Sequence, residues 1–266
     1  MANLFTWDCD QLTSTSLGPI QGVGPRTTID TTQSRPGSTG TGSMKLVILG
    51  NDQTQMGIDP GDAPARAGDD GESYYYRWWM KIDSAFSWGA VTQKTKASRI
   101  KRQGDIPPTI LTMFLRKDAI YVGECDECNP LGSGGDPSPA LISYDFDPAT
   151  NAAVASWQEY IALIKKQTAN NTDGEFHFFV NALEIGTGVT GQRYFTSPAQ
   201  NWVEAWGACM VRPLPQLNDA SGGGTIWVDD VSLDTTFNSL VSLPSGSAAG
   251  RGSHHRIIRS TMSRWR

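Results

Sequence analysis

The residues best suited to contact a sugar alternate along residues 73–83, which read Ser-Tyr-Tyr-Tyr-Arg-Trp-Trp-Met-Lys-Ile-Asp. With the period of two of a β-strand, Tyr75, Arg77, Trp79 and Lys81 share one face, opposite a continuous apolar face. An aromatic ring can stack on the C–H face of a sugar, while Arg or Lys binds its hydroxyls or carboxylate. The row therefore predicts a glycan-binding surface. The alternative is a strand whose second face is covered by another layer or by a partner.

A second group of candidates supplies positive charge. Five basic residues fall within nine positions: Lys94, Lys96, Arg99, Lys101 and Arg102. We predict that Lys94 and Arg99 belong to the glycan-binding site, because a cation can hold the carboxylate of an acidic sugar. The alternative is a solvated loop or an edge strand, where lysines discourage aggregation.

His177 adds an imidazole, and the other two histidines of the chain lie near its C-terminus. It falls between Phe176 and Phe178 in an alternating segment, so it belongs to the opposite face from theirs. Because an imidazole exchanges protons near neutral pH, His177 is predicted to join the site. A purely structural histidine is the alternative.

Short strands must position these residues. Alternating segments bounded by Gly, Pro, Asn and Asp predict strands near residues 4–12, 43–50, 73–83, 109–115, 119–123, 141–146, 156–166, 175–181, 202–210 and 225–233. No segment is convincingly helical, and 28 glycines and 15 prolines suit many turns. We predict an all-β protein, an antiparallel β-sandwich. Its parts are an N-terminal strand and irregular arm (1–42), the sandwich (43–237) and a Ser/Gly/Arg-rich C-terminal extension (238–266).

Charge and hydropathy narrow the function classes. No window approaches the roughly 18 consecutive apolar residues of a membrane span, and the N-terminus lacks the pattern of a signal peptide. We expect no membrane partner, and a place in a virion if the chain is phage-encoded, or otherwise in the cytoplasm. The net charge is −5, although the last 16 residues hold five arginines and no acidic residue. The rest of the chain is therefore acidic, which argues against specific nucleic-acid binding.

The cysteines leave two interpretations open. Cys125 and Cys128 have the spacing of a metal-ligand pair, but a zinc site needs two further ligands. A loop with two thiols, or with a local disulfide, is the other interpretation. Cys9 and Cys209 can meet only if the terminal strands are neighbours.

Three segments together resemble the concanavalin A-like lectin/glucanase jelly roll, in the branch that includes polysaccharide lyases. They are residues 74–83 with the basic patch that follows, Asn-Asn-Thr-Asp-Gly-Glu-Phe-His-Phe-Phe-Val-Asn at 170–181, and Thr-Ile-Trp-Val-Asp-Asp-Val-Ser-Leu at 225–233. The resemblance implies a central strand of the concave sheet, a hairpin and a closing strand, in that order. The glycosidase motif Glu-x-Asp-x-x-Glu and the alginate-lyase motif Gln-Ile-His are both absent.

For a lyase, the resemblance implies β-elimination, which needs a cation for the uronate, a base for the C5 proton and an acid for the leaving oxygen. Arg77 or Arg99 is the candidate cation, Lys94 or His177 the candidate base, and Tyr75 the candidate acid.

The resemblance also implies a structural calcium ion between the first and last strands. Asp8 or Asp10 would supply oxygens from the first strand, and Asp229 or Asp230 from the last. Strand-end aspartates that bond turns are the alternative. No other cofactor is predicted.

These patterns favour a non-enzymatic glycan-binding or structural subunit of an assembly, such as a decoration or tail protein of a phage virion. The reason is a sugar-recognition fold without a secretion signal. A polysaccharide lyase acting on a uronate-containing polymer is the alternative, and a simple carbohydrate-binding module is a third hypothesis. The expected partners are a polysaccharide or cell-surface glycan, and other protein subunits bound through the N-terminal arm and the C-terminal extension.

Overall fold

The fold is that of a computed structural model, which describes residues 3–7, 9, 13–14, 18–21, 27–38, 40–49, 57–58, 66–67, 73–89, 94–101, 110–125, 140–165, 168, 172–192, 203–207 and 222–241. The strands in chain order are β1 (Asn3–Trp7), β2 (Thr13–Ser14), β3 (Gly18–Gln21), β4 (Thr27–Asp30), β5 (Ser43–Leu49), β6 (Gly57–Ile58), β7 (Arg66–Ala67), β8 (Ser73–Ile82), β9 (Lys94–Lys101), β10 (Ile110–Arg116), β11 (Ala119–Cys125), β12 (Ala140–Ser143), β13 (Gln158–Lys165), β14 (Gly174–Val180), β15 (Leu183–Glu184), β16 (Val189–Gln192), β17 (Val203–Gly207) and β18 (Gly223–Asp234). A short 3-10 helix covers Ala152–Ala155.

Two large sheets carry most of these strands. The nine-stranded sheet has the order β15-β14-β13-β8-β18-β5-β4, with β1 paired to β18 and β16 paired to β14. The six-stranded sheet has the order β12-β11-β10-β9-β17-β7, and β2-β3-β6 form a small third sheet. The pairings of β8 and β9 with their neighbours are all antiparallel. The predicted antiparallel β-sandwich is confirmed.

One hydrophobic core lies between the two large sheets. The nine-stranded sheet contributes the even-numbered face of β8, where Trp78 stacks on Tyr160 with ring centroids 5.5 Å apart. The six-stranded sheet contributes Met113, Leu115 and Ile120 to the same core. Each sheet therefore has an inner face against this core and an outer face turned away from it.

Several strands of the structure lie outside the segments predicted from the sequence, and two of them, β4 and β9, matter for the site. The basic segment Lys94–Lys101 is neither a solvated loop nor an edge strand, because β9 pairs with β10 on one side and with β17 on the other. Thr27–Asp30 lies within the segment expected to be irregular, yet it pairs with β5 in the nine-stranded sheet. Among the residues described above, none belongs to a helix with the length and apolar character needed to cross a membrane.

Candidate functional site

The predicted site residues lie on two different sheets. Tyr75, Arg77, Trp79 and Lys81 are on β8, and His177 is on β14, both in the nine-stranded sheet. Lys94 and Arg99 are on β9, in the six-stranded sheet. Since the core separates the two sheets, their outer faces lie on opposite sides of the sandwich. The two groups of residues do not come together in one site.

The outer face of β8 is covered first by residues 237–241, which we name the C-terminal strap. The Phe237 ring packs edge-on against Tyr75 and Phe179, with centroid distances of 5.9 and 5.0 Å. The Arg77 guanidinium donates to the Asn238 carbonyl at 2.9 Å. Tyr75 is 4% exposed and Arg77 is 6% exposed. The chain itself therefore occupies this part of the predicted glycan surface.

A buried carboxylate holds the other end of the strap. Glu159, on β13, accepts hydrogen bonds from the Leu240 backbone N–H at 2.7 Å and from the Ser239 hydroxyl. Burial lowers the pKa of Arg77, and the nearby Glu159 and Asp234 carboxylates act in the opposite direction. The Glu159 carboxylate and the Arg77 guanidinium are thus enclosed together beneath the strap. Removing either one would leave the other as an unpaired buried charge.

The loop between β4 and β5 covers the other half of the row. The Arg35 guanidinium lies 5.2 Å from the centroid of the Trp79 ring and also pairs with Asp230. The Lys81 ammonium donates to the Gln33 side chain at 2.9 Å and lies over the Trp227 ring. Trp79 is only 7% exposed. Between them, the loop and the strap cover the outer face of β8, which carries Tyr75, Arg77, Trp79 and Lys81.

His177 has a carboxylate on each ring nitrogen. Its Nδ1 lies 2.7 Å from Glu184 and its Nε2 lies 3.2 Å from Glu175. Lys165 donates to the second oxygen of Glu175 at 2.5 Å. Burial lowers the pKa of His177, but the bonds to the two carboxylates outweigh it, so this pKa is raised. The hydrogen bond from His177 in turn lowers the pKa of Glu175 to about 2.

The predicted calcium ligands are only partly within the described residues. β1 pairs with β18, so the first and last strands are neighbours, but Asp8 and Asp10 lie outside the described residues. Asp229 accepts a hydrogen bond from the Arg35 backbone N–H at 3.0 Å, and burial raises its pKa to about 7. No group of three metal-ligating side chains occurs among the residues that the structure describes. The calcium site stays a prediction.

The strand register places four basic residues on the outer face of the six-stranded sheet. Met113 and Leu115 belong to the core, so the alternate positions of β10 belong to the outer face. The residues of β9 that pair with those alternate positions are Lys94 with Arg116, Lys96 with Phe114, Arg99 with Thr112 and Lys101 with Ile110. Directly paired residues share a face. The register shifts opposite Met113 and Phe114 and skips Ala97, a β-bulge that keeps Lys96 and Arg99 on the same face although they are three residues apart. We name these four positions of β9 the basic row.

The basic row runs along the interior of its sheet, between β10 and β17. Across β17, Gly207 pairs with Arg99 and Ala205 pairs with Lys101. Across β10, Tyr121 of β11 pairs with Phe114 and so falls on the same face. Sequence analysis did not identify these neighbours. The only local signal was the apolar alternation of Met113 and Leu115, which indicates which face of β10 is turned to the core. Chemically, a row of cations on one face of a sheet suits an extended anionic polymer.

Cys9 is buried and Cys125 ends β11, whereas Cys128 and Cys209 lie outside the described residues. The two interpretations of the cysteine pair therefore stay predictions.

Neither protein-family models nor curated proteins match the sequence. Solved structures do match the fold. An endo-β-1,4-glucuronan lyase from the fungus Trichoderma reesei has a TM-score of 0.60 at 12% identity, over 90% of this chain and 98% of its own. A marine PL-14 alginate lyase from Aplysia kurodai has a TM-score of 0.57 at 9% identity, over 89% and 100%. The alginate lyase Aly36B has a TM-score of 0.52 at 15% identity, over 86% and 95%.

These similarities concern the fold, which is the jelly-roll sandwich of polysaccharide lyases. The predicted resemblance to the lyase branch of the concanavalin A-like jelly rolls is confirmed at that level.

Proposed function

We propose that this protein is a polysaccharide lyase that binds a uronate-containing polymer on the outer face of its six-stranded sheet. The observation that carries the proposal is the basic row, four cationic positions that share one face of β9. A polymer with one carboxylate per sugar offers regularly spaced negative charge to such a row. The shared fold with three polysaccharide lyases supports the same class of reaction.

The chemistry is β-elimination. A base removes the C5 proton of the uronate, the electron pair forms a C4–C5 double bond, and the C4–O bond breaks as the leaving oxygen takes up a proton. A cation beside the carboxylate stabilises the negative charge that develops when the proton leaves. We assign this cation to Arg99 of the basic row. Lys94 pairs with Arg116, four residues along β10 from the partner of Arg99, a separation of roughly 13 Å. We therefore assign Lys94 to the carboxylate of a different sugar of the same polymer.

The other predicted residues have no part in this proposal. Arg77 and Tyr75 are buried beneath the strap, and His177 is held between two carboxylates on the opposite side of the sandwich. The main prediction of a non-enzymatic subunit of a virion or other assembly has less support than this alternative, because the three similar structures described above are lyases. Subunit contacts through the N-terminal arm and the C-terminal extension (238–266) stay a prediction, and residues 242–266 of that extension lie outside the described residues.

The test is an ultraviolet absorbance assay for unsaturated uronate products over a panel of alginate, polyglucuronate and pectate. Arg99→Ala should lower the rate by about 10²-fold or more, as loss of one charge-stabilising donor does in other active sites. Lys45→Ala is the matched control, because it removes a cation from β5 of the opposite sheet and should leave the rate unchanged. Absence of products from every polymer would refute the lyase proposal.

Glycan binding without cleavage is the second candidate function. It is favoured by one observation, the absence of both the Gln-Ile-His and the Glu-x-Asp-x-x-Glu motifs from the sequence. A binding module would retain one of these polymers in affinity electrophoresis yet release no unsaturated product. In either case the binding should weaken with added salt, because salt screens exposed charges.

A further inference from the structure

Four charged groups of alternating sign form a chain across three strands at one end of the nine-stranded sheet. Lys165 on β13 contacts Glu175 on β14, Glu175 contacts His177 on the same strand, and His177 contacts Glu184 on β15. All four side chains are between 23% and 30% exposed. An imidazole can donate to both carboxylates only when both ring nitrogens carry a proton. The chain of contacts therefore depends on the protonation of one group.

The backbone after β15 is packed directly against the imidazole. A Cβ atom built on Gly188 would lie 2.1 Å from Nδ1 of His177, far inside any real contact distance. On either side of Gly188, the segment is held by β14: the Ile185 N–H donates to the Phe178 carbonyl at 2.8 Å, and Val189 pairs with Phe176. The position of the ring and the position of residues 183–192 thus determine each other.

We propose that Glu175, His177 and Glu184 form a pH-sensitive latch that holds residues 183–192 on the nine-stranded sheet in neutral and mildly acidic solution and releases them in alkaline solution. When the imidazole loses its proton, one of its nitrogens presents a lone pair to a carboxylate. That contact becomes repulsive, and the ring that both carboxylates hold lies directly against the Gly188 backbone.

The direction follows from linkage. The pKa of His177 is raised above its ordinary value of 6.5, so the latch is fully closed below about that pH and weakens as the pH rises through the raised value. Within that window the ratio of closed to open states should fall about tenfold per pH unit. At the acidic limit, the pKa of Glu175 is lowered to about 2, so its contribution is lost only as the pH falls from about 4.5 towards 2.

Among the described residues, two other charged or titratable groups lie near the latch, Tyr75 and Lys165, and neither accounts for a change in the pH range where His177 titrates. Tyr75, on β8, faces Glu175, and burial raises its pKa to about 12. Lys165 pairs with Glu175 and so acts through that carboxylate. Release of residues 183–192 above neutral pH, but below the pH at which Tyr75 loses its proton, therefore reports on His177.

The experiment is hydrogen–deuterium exchange with mass spectrometry on the full chain at pH 6 to 9, corrected for the intrinsic exchange rate at each pH. Protection of residues 183–192 in the wild type should be lost progressively as the pH rises through the raised pKa of His177, while β8 and β13 stay protected. In His177→Gln, which cannot titrate, protection of the segment should be independent of pH. Lys165→Gln is the matched control, because it removes a neighbouring cation and leaves the imidazole in place.

Glu184→Gln keeps the shape of the latch and removes one carboxylate, so its transition should move to lower pH. NMR titration gives an independent measure, because the pKa of His177 should lie above its ordinary value of 6.5. The latch is refuted if protection in the wild type does not change with pH, or if His177→Gln shows the same change. It is equally refuted if His177 titrates at or below pH 6.5.

Discussion

Adjacent tryptophans on β8 offer the sharpest test of how the nine-stranded sheet is packed. Trp78 is fully buried in the core and stacks on Tyr160 with an interplanar angle of 19°. Trp79 points to the outer face, yet it is only 7% exposed because the β4–β5 loop lies over it, with Arg35 5.2 Å from its ring centroid. An open glycan groove would leave Trp79 dispensable for stability, whereas a covered face makes it part of a second packed layer.

The expected cost of Trp78→Ala is about 3–5 kcal/mol, the usual range for truncating a large aromatic residue in a core. For Trp79→Ala we expect about 2–4 kcal/mol, because the loop can partly collapse into the space and water can reach it. About 0.5–1 kcal/mol of that loss belongs to the contact with the Arg35 cation. Trp79→Phe should restore most of the stability, since an aromatic ring again fills the site beneath Arg35.

The assay is equilibrium unfolding in urea followed by far-ultraviolet circular dichroism, because removing a tryptophan alters the fluorescence signal itself. The slope of the unfolding free energy against urea must stay constant for the values to be compared. If Trp79→Ala unfolds within about 0.5 kcal/mol of the wild type while Trp78→Ala shows its full loss, the outer face is not a packed layer. A simultaneous loss of glycan affinity in Trp79→Ala would then restore the groove predicted from the sequence.

Three further outcomes are expected. Phe237→Ala should destabilise the protein and make the strap sensitive to limited proteolysis before the sandwich unfolds, because this ring is the apolar anchor of residues 237–241. If the strap is cleaved only when the sandwich unfolds, this order is wrong. Burial raises the pKa of Asp229 from 3.8 to about 7, so stability should decline as the pH rises from about 4 to about 7, and Asp229→Asn should remove this decline in thermal melts. If Asp8 or Asp10 shares a calcium ion with Asp229 or Asp230, a chelator should lower the melting temperature and added calcium should restore it, whereas an unchanged melt would exclude the site.

Much of the fold was predictable from local patterns. The alternation in residues 74–82 identified which side chains of β8 enter the core, because a strand turns successive residues to opposite faces wherever it lies. The turn Asn-Asn-Thr-Asp-Gly before β14 likewise marked where that strand begins, since these residues favour turn conformations. The same local reasoning did not predict that β9 is an interior strand of its sheet, because clustered lysines usually mark an exposed edge.

The site depended on facts that no local pattern contains. Arg77 and Arg99 are equally good cations in the sequence, and only the strand order separates them, by pairing β8 with β13 and β18 but β9 with β10 and β17. Strand order follows from long-range pairing and from the shared core, which depend on the whole chain. The amino-acid sequence by itself determined that β8 has an apolar face and an aromatic, charged face. The tertiary structure alone decided that the second face is buried beneath the strap and the β4–β5 loop, because residues distant in the sequence supply the covering groups.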